Sequence, residues 1–223
     1  MKYLFLLFIA LLVPSCRTMT PVPRTAAISP SLREKCFPPV SQSAFRAVHV
    51  IHATIRGQSS SFIGVTIADV STDRIRATLL NIEGLVLMDA VDNKGKITLY
   101  QSMQPFNSGR FADGLFDDIR FMFFPPHGDL MDARVKADGT VACRWIDHGH
   151  VFEKNAAVSG ETVIKEFDSD NKVMRRVKLS PPIINGFYKD MSMDSYYGSG
   201  GYSLSLELLE GEHLEHVGGL FAP

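Results

Sequence analysis

From Ala44 onward, apolar residues recur at every second position in short runs broken by Gly, Asn and Asp, which confines the chain to antiparallel β-structure. Side chains along a strand point alternately to its two faces, so this period marks a sheet with one buried side. Arg74-Ile75-Arg76-Ala77-Thr78-Leu79 sets Ile75, Ala77 and Leu79 on one face and charge on the other, and Tyr202 to Leu208 alternates more cleanly still. Phe45 to Arg56 and Ser61 to Val70 read as consecutive strands. Asp92-Asn93-Lys94-Gly95, Ala137-Asp138-Gly139 and Asp168-Ser169-Asp170-Asn171 supply the residues that hairpin turns need. The expected fold is mainly β with some α, built from about nine or ten strands.

One segment departs from that period. Phe111, Leu115, Ile119 and Met122 recur at helical spacing, and Pro125-Pro126 stops the run. The pattern predicts an amphipathic helix of about three turns whose apolar side covers the sheet. Asp117 and Asp118 are expected on its solvated face, because adjacent helical residues do not face one another and make no acid and base pair.

Residues 1–15 read as a secretory signal: Lys2, an apolar run from Leu4 to Val13, then Pro14 and Ser15. The run falls short of the roughly 20 residues that span a bilayer. Val13-Pro14-Ser15-Cys16 resembles the lipobox of bacterial lipoproteins, in which a diacylglyceryl group is joined to the cysteine thiol, so Cys16 is the expected lipidation site. The alternative is an ordinary signal cut after Ser15 or near Met19. In that family an Asp after the lipidated Cys retains the protein at the inner membrane, so Arg17 implies the outer membrane. Acyl chains bury at about 0.8 kcal/mol per CH₂, and two or three hold a domain stably. Residues 16–40, with Pro21, Pro23, Pro30, Pro38 and Pro39, are expected to form a lipidated tether reaching roughly 25–30 Å, and residues 41–223 the β domain.

The charges, 23 basic and 24 acidic, become 22 against 24 when Lys2 leaves with the signal, which offers nothing to nucleic acid. Hydrophobic content of 45% supports a sizeable core rather than disorder. Cys36 and Cys143 remain as an even pair, able to bridge in an oxidising compartment. The other reading of Cys143, between Val141 and Trp145, is a small core residue.

Histidines fall in three close pairs. His49 and His52 face opposite ways on a strand, His148 and His150 would share a face, and His213 and His216 suit a helix but lack the rest of a zinc-hydrolase pattern. No metal or cofactor is expected. A nucleophile elbow, a phosphate loop and a Cys-x-x-Cys pair are absent from the sequence; Gly198-Ser199-Gly200-Gly201 leads into a strand and not a helix. A non-enzymatic role is therefore expected. What remains is apolar surface: Ile63, Val65, Ile67, Ile75, Leu79, Ile97, Leu99, Val177, Leu204, Leu206 and Leu208 on strands, with Leu115, Ile119 and Met122 on the helix. These residues either fill a closed core or line a cleft for an acyl chain.

The succession of lipobox, proline-rich tether, strands with hairpins, helix after about five strands, more hairpins and a Leu-alternating last strand resembles the lipoprotein localisation factors LolA and LolB. It resembles more closely the LolB-like outer-membrane lipoproteins. The resemblance covers roughly residues 44–210 and rests on Ala77 to Tyr100 followed by Pro105 to Pro126. It implies an unclosed antiparallel β-barrel with a helical lid over an apolar cavity. It also implies an outer-membrane lipoprotein, held by its acyl chains and facing the periplasm, that binds or transfers lipid or acylated molecules. The alternative is a structural or assembly lipoprotein that presents a β surface to an envelope protein.

Overall fold

The computed structural model describes residues 28–37, 44–126, 128–197, 201–215, 217 and 219–221. The expected signal (residues 1–15), Cys16, His127, Gly198, Ser199, Gly200 and His216 lie outside the described residues. Twelve strands make one antiparallel sheet: β1 (Ala44–Ile55), β2 (Gln58–Asp69), β3 (Arg74–Leu80), β4 (Val86–Asn93), β5 (Lys96–Ser102), β6 (Asp129–Val135), β7 (Val141–Asp147), β8 (His150–Ala156), β9 (Thr162–Phe167), β10 (Val173–Ile184), β11 (Phe187–Ser195) and β12 (Tyr202–Leu214). Among the described residues the helices are α1 (Pro30–Lys35) and α2 (Gly109–Phe123).

The strand order runs β5, β4, β3, β2, β1, β12, β11, β10, β9, β8, β7, β6. Successive strands are neighbours except β5 and β6. β1 pairs with β12, which puts the first and last strands at the centre. β5 and β6 end the sheet on opposite sides, and the chain passes from one to the other through α2. The sheet is therefore not closed, and one helix bridges its margins.

The curvature follows from what α2 touches. Arg120 bonds Asp92 on β4, while Phe121 stacks with Phe152 on β8. Those strands would lie about 38 Å apart in a flat sheet at roughly 4.8 Å per strand, and a helix is only about 10–12 Å across. The sheet must wrap around α2. Ser108 caps the helix by accepting a hydrogen bond from the Phe111 amide at 3.2 Å, and Phe124 is already extended ahead of the two prolines.

The three hairpins read from the sequence are present between β4 and β5, β6 and β7, and β9 and β10. The count of about nine or ten strands was short because two further hairpins were not counted. His148 and Gly149 turn β7 into β8 with positive φ, and Asn185 and Gly186 do the same between β10 and β11.

Register corrects one row of the expected inner face. Gly64 pairs with Leu79, Thr66 with Ala77 and Ala68 with Ile75, and those six positions face inward with their row. Ile63, Val65 and Ile67 stand opposite Leu80, Thr78 and Arg76 and belong to the outward face. Alternation alone selects the more apolar row, whereas the small Gly64, Thr66 and Ala68 are the ones whose register places them inward. Leu220 and Phe221 lie against this outer face: Arg76 donates to the Leu220 carbonyl at 3.0 Å, and the Arg74 guanidinium sits over the Phe221 ring.

The packed body also begins earlier than residue 41. Residues 30–35 form α1, capped by Ser29, and Cys36 is bridged to Cys143 on β7. Lys154 on β8 donates to the carbonyls of Lys35, Cys36 and Phe37 at 3.4, 3.2 and 3.0 Å. This end of the expected tether is docked on the sheet.

Candidate functional site

α2 presses Phe116, Ile119, Met122 and Phe123 into the concave face, against Phe45, Ala47 and Ile75 and the methionines Met88, Met191 and Met193. Between the helix and strands β1, β2, β3 and β12 a cavity of about 40 Å³ remains. Of the residues expected to line it, Leu79, Leu115, Ile119, Met122, Leu204 and Leu206 do so, and Val65 borders it along its strand. Ile75, Val177 and Leu208 are buried in the surrounding core, with Ile97 packed against it. Leu99, on β5 at the sheet margin, is 37% exposed. The gap for a hydrocarbon tail is therefore not open while α2 is seated. Small-molecule pockets run to roughly 300–1,000 Å³, and here the side chains of α2 occupy that space.

The sequence reading missed what holds α2 in place. Asp118, expected on a solvated face, is buried: it accepts a hydrogen bond from the Tyr202 hydroxyl and one from Arg175 Nη1 at 3.3 Å. Arg175 Nε also donates to Glu166 at 2.5 Å, and its guanidinium lies over the Phe121 ring at 4.5 Å. Glu166 further bonds His150 at 2.9 Å and Tyr197 at 3.2 Å. Two residues on, at the other flank, Arg120 binds Asp92 at 2.6 Å and Asp73 at 3.2 Å. Apolar spacing places Ile119 and Met122 inward, and residues 118 and 120 flank that stripe closely enough to be swept into a curved sheet. The signal available was Arg175, a charge at an inward position of β10.

The histidine pairs separate. His49 faces the cavity and His52 bonds Ser61 on the outer face at 2.8 Å. His148 sits in the β7–β8 turn instead of sharing a strand face with His150. His213 lies on β12, not on a helix. Among the described residues no three His, Cys, Asp or Glu side chains form a metal-binding group.

Two cavity groups titrate against each other. Burial pushes the Asp118 carboxyl up to about 6, against the pull of Tyr202 and Arg175. Its stabilising contribution is complete below the unfolded value near 3.8 and is lost as pH rises through 6. Burial holds the His49 imidazole down to about 4, so its contribution is present above the unfolded 6.5 and is lost as pH falls through 4. Each is worth up to about 3 kcal/mol, and the two cancel across pH 4–6. Urea titrations at pH 6.5 and 4.5 should show little change for the native chain. Acidification should stabilise His49→Leu and destabilise Asp118→Asn, relative to the native chain.

No protein-family model matches the sequence, and a search of curated proteins finds none that matches it. Solved structures do match. A LolA superfamily protein from Nitrosomonas europaea aligns with 89% of this chain and 99% of its own, at a TM-score of 0.57 and 10% identity. A domain named for outer membrane lipoprotein sorting, from Vibrio parahaemolyticus, aligns over 86% of this chain and 95% of its own, at a TM-score of 0.50 and 7% identity. At such identity the likeness is one of fold: this chain's unclosed sheet with its bridging helix is similar in fold to a LolA superfamily protein.

Proposed function

We propose that this chain, folded as the LolA superfamily is, takes up an acyl chain or acylated molecule in the concave face that α2 now fills, without covalent chemistry. The observation that carries the reading is the helix itself. α2 is the bridge between the two sheet margins, it packs through side chains and not through the sheet ladder, and it covers an interior of Leu, Ile, Met and Phe. Lifting it exposes that surface, and a hydrocarbon chain would cover it again at about 0.8 kcal/mol per methylene. The polar links at Asp118 and Arg120 set how readily the helix lifts.

We read the chain as an envelope lipoprotein anchored through Cys16, with its mouth toward a membrane. The support is at the end of the sheet where β3 passes into β4. Asn81 accepts hydrogen bonds from the Glu83 and Leu85 amides, fixing a loop from which Ile82 stands 72% exposed beside exposed Leu85 and Met103. A rigid loop tipped with apolar side chains suits contact with a bilayer.

A fluorescent fatty acid added to the purified chain tests the proposal. Saturable uptake, followed by release into phospholipid vesicles, is the expected result. If the folded protein takes up no probe, even in the Arg175→Met variant that unlatches α2, the carrier reading is lost. The second reading, in which the β6 margin with exposed Met131 and Val135 meets an envelope protein, then takes its place.

A further inference from the structure

His49 sits where a purely apolar carrier would place leucine or phenylalanine. It lies midway along the 12-residue β1, inward-facing and 2% exposed, beside Ile51 and opposite Leu208 on β12. Its ring packs against Phe123 of α2, and its Nε2 has no hydrogen-bond partner among the described residues. The same residue lines the cavity, together with Leu79, Leu206 and the hydroxyl-bearing Thr66. A buried polar atom without a partner is costly, and native interiors rarely keep one without a reason. Here the unpartnered atom belongs to the wall of the space that a ligand would occupy.

Resting on the carrier reading above, we infer that the molecule taken up carries an uncharged hydrogen-bonding group within its hydrocarbon portion, a hydroxyl or carbonyl, and that His49 recognises it. Two features of the site define this class. The first is depth: the middle of β1 is about 17–20 Å from either end of the strand at roughly 3.4 Å per residue. A headgroup held at the rim does not reach His49, whereas an interior position of the chain does. The second is charge. The Asp118 carboxyl lines the same cavity and disfavours an anion there, and burial keeps the imidazole neutral, so it offers no cation to pair with one. A neutral imidazole accepts a hydrogen bond at one ring nitrogen and donates at the other, so it serves either a hydroxyl or a ketone. A plain alkyl chain satisfies neither and leaves Nε2 as it is.

Competition against a bound fluorescent fatty acid tests this, using 12-hydroxyoctadecanoic, 12-oxooctadecanoic and octadecanoic acids on the native chain and on His49→Leu and His49→Gln. The native chain should prefer at least one oxygenated chain over the plain one by about tenfold, roughly the value of one well-placed hydrogen bond. His49→Leu should bring that ratio to one or below, and His49→Gln should retain part of it. Equal affinity of the native chain for all three acids overturns the inference while leaving the carrier reading standing, as does a ratio unchanged in His49→Leu. Binding of none of the three overturns both. Should His49→Leu not fold, the native ratio and the His49→Gln variant still decide the question.

Discussion

Arg175→Met should lower the stability of this protein by about 3–5 kcal/mol, the largest single-residue effect expected outside the disulfide. The guanidinium is the shared partner of two buried carboxylates, Glu166 and Asp118, and lies against Phe121. Methionine fills much of the volume but leaves Glu166, 3% exposed, with His150 and Tyr197 as its remaining partners among the described residues. A buried charge stripped of its counter-ion is costlier than the pair was favourable. Domains are typically stable by about 5–15 kcal/mol, so a loss of this size moves the urea midpoint far without changing the slope. The Arg175→Met, Glu166→Gln double variant should recover part of it, since the orphaned charge is then gone. Because Asp118 belongs to α2, hydrogen exchange in residues 109–123 should accelerate more than in the central strands β1 and β12. A loss below about 1 kcal/mol, the range of ordinary surface ion pairs, would mean that the network does not seat the helix.

The same network shows where sequence reading stops. Alternation identified the strands, because a half-buried strand must write its two environments into successive residues. It failed at β2, where Ile63, Val65 and Ile67 are more apolar than Gly64, Thr66 and Ala68, the small residues that face inward. Register is settled by pairing with Ile75, Ala77 and Leu79, a relation between strands that no single strand records. Asn185-Gly186 was a readable hairpin cue, masked by Pro181-Pro182 just before it, which reads as loop although β10 runs through both. Asp118 looked solvated because helical spacing locates the centre of an apolar stripe and not its width. Around a strongly curved sheet that stripe widens until its polar flanks are enclosed and must find partners. The inward His49 was legible as a strand residue, but its lack of a partner is a property of its surroundings.

The double variant Cys36→Ser, Cys143→Ser should be less stable than the native chain by about 5 kcal/mol in the chain-entropy view, because the bridge closes a loop across 107 residues. Replacing both cysteines avoids a stray thiol, and the native chain titrated with urea in reductant should reproduce the loss. The bridge spans β1 to β5, α2 and β6, so its removal frees the unfolded chain over nearly half its length, and the folded state loses one local dock. That dock is α1 with Cys36, held otherwise by the Lys154 ammonium on three carbonyls. Burial brings this ammonium down to about 8, which makes it a weak substitute for a covalent link above that pH. Trypsin should therefore cut at Arg33 or Lys35 in the double variant faster than in the native chain, and more so at pH 9 than at pH 7 after correction for the enzyme's own pH dependence. If Cys16 is the membrane anchor, the consequence reaches function. With the bridge intact residues 30–37 are held on the sheet; without it Cys36 no longer fixes that segment between Cys16 and β1. A variant with full native stability and unchanged cleavage would show that α1 holds its place without the bridge.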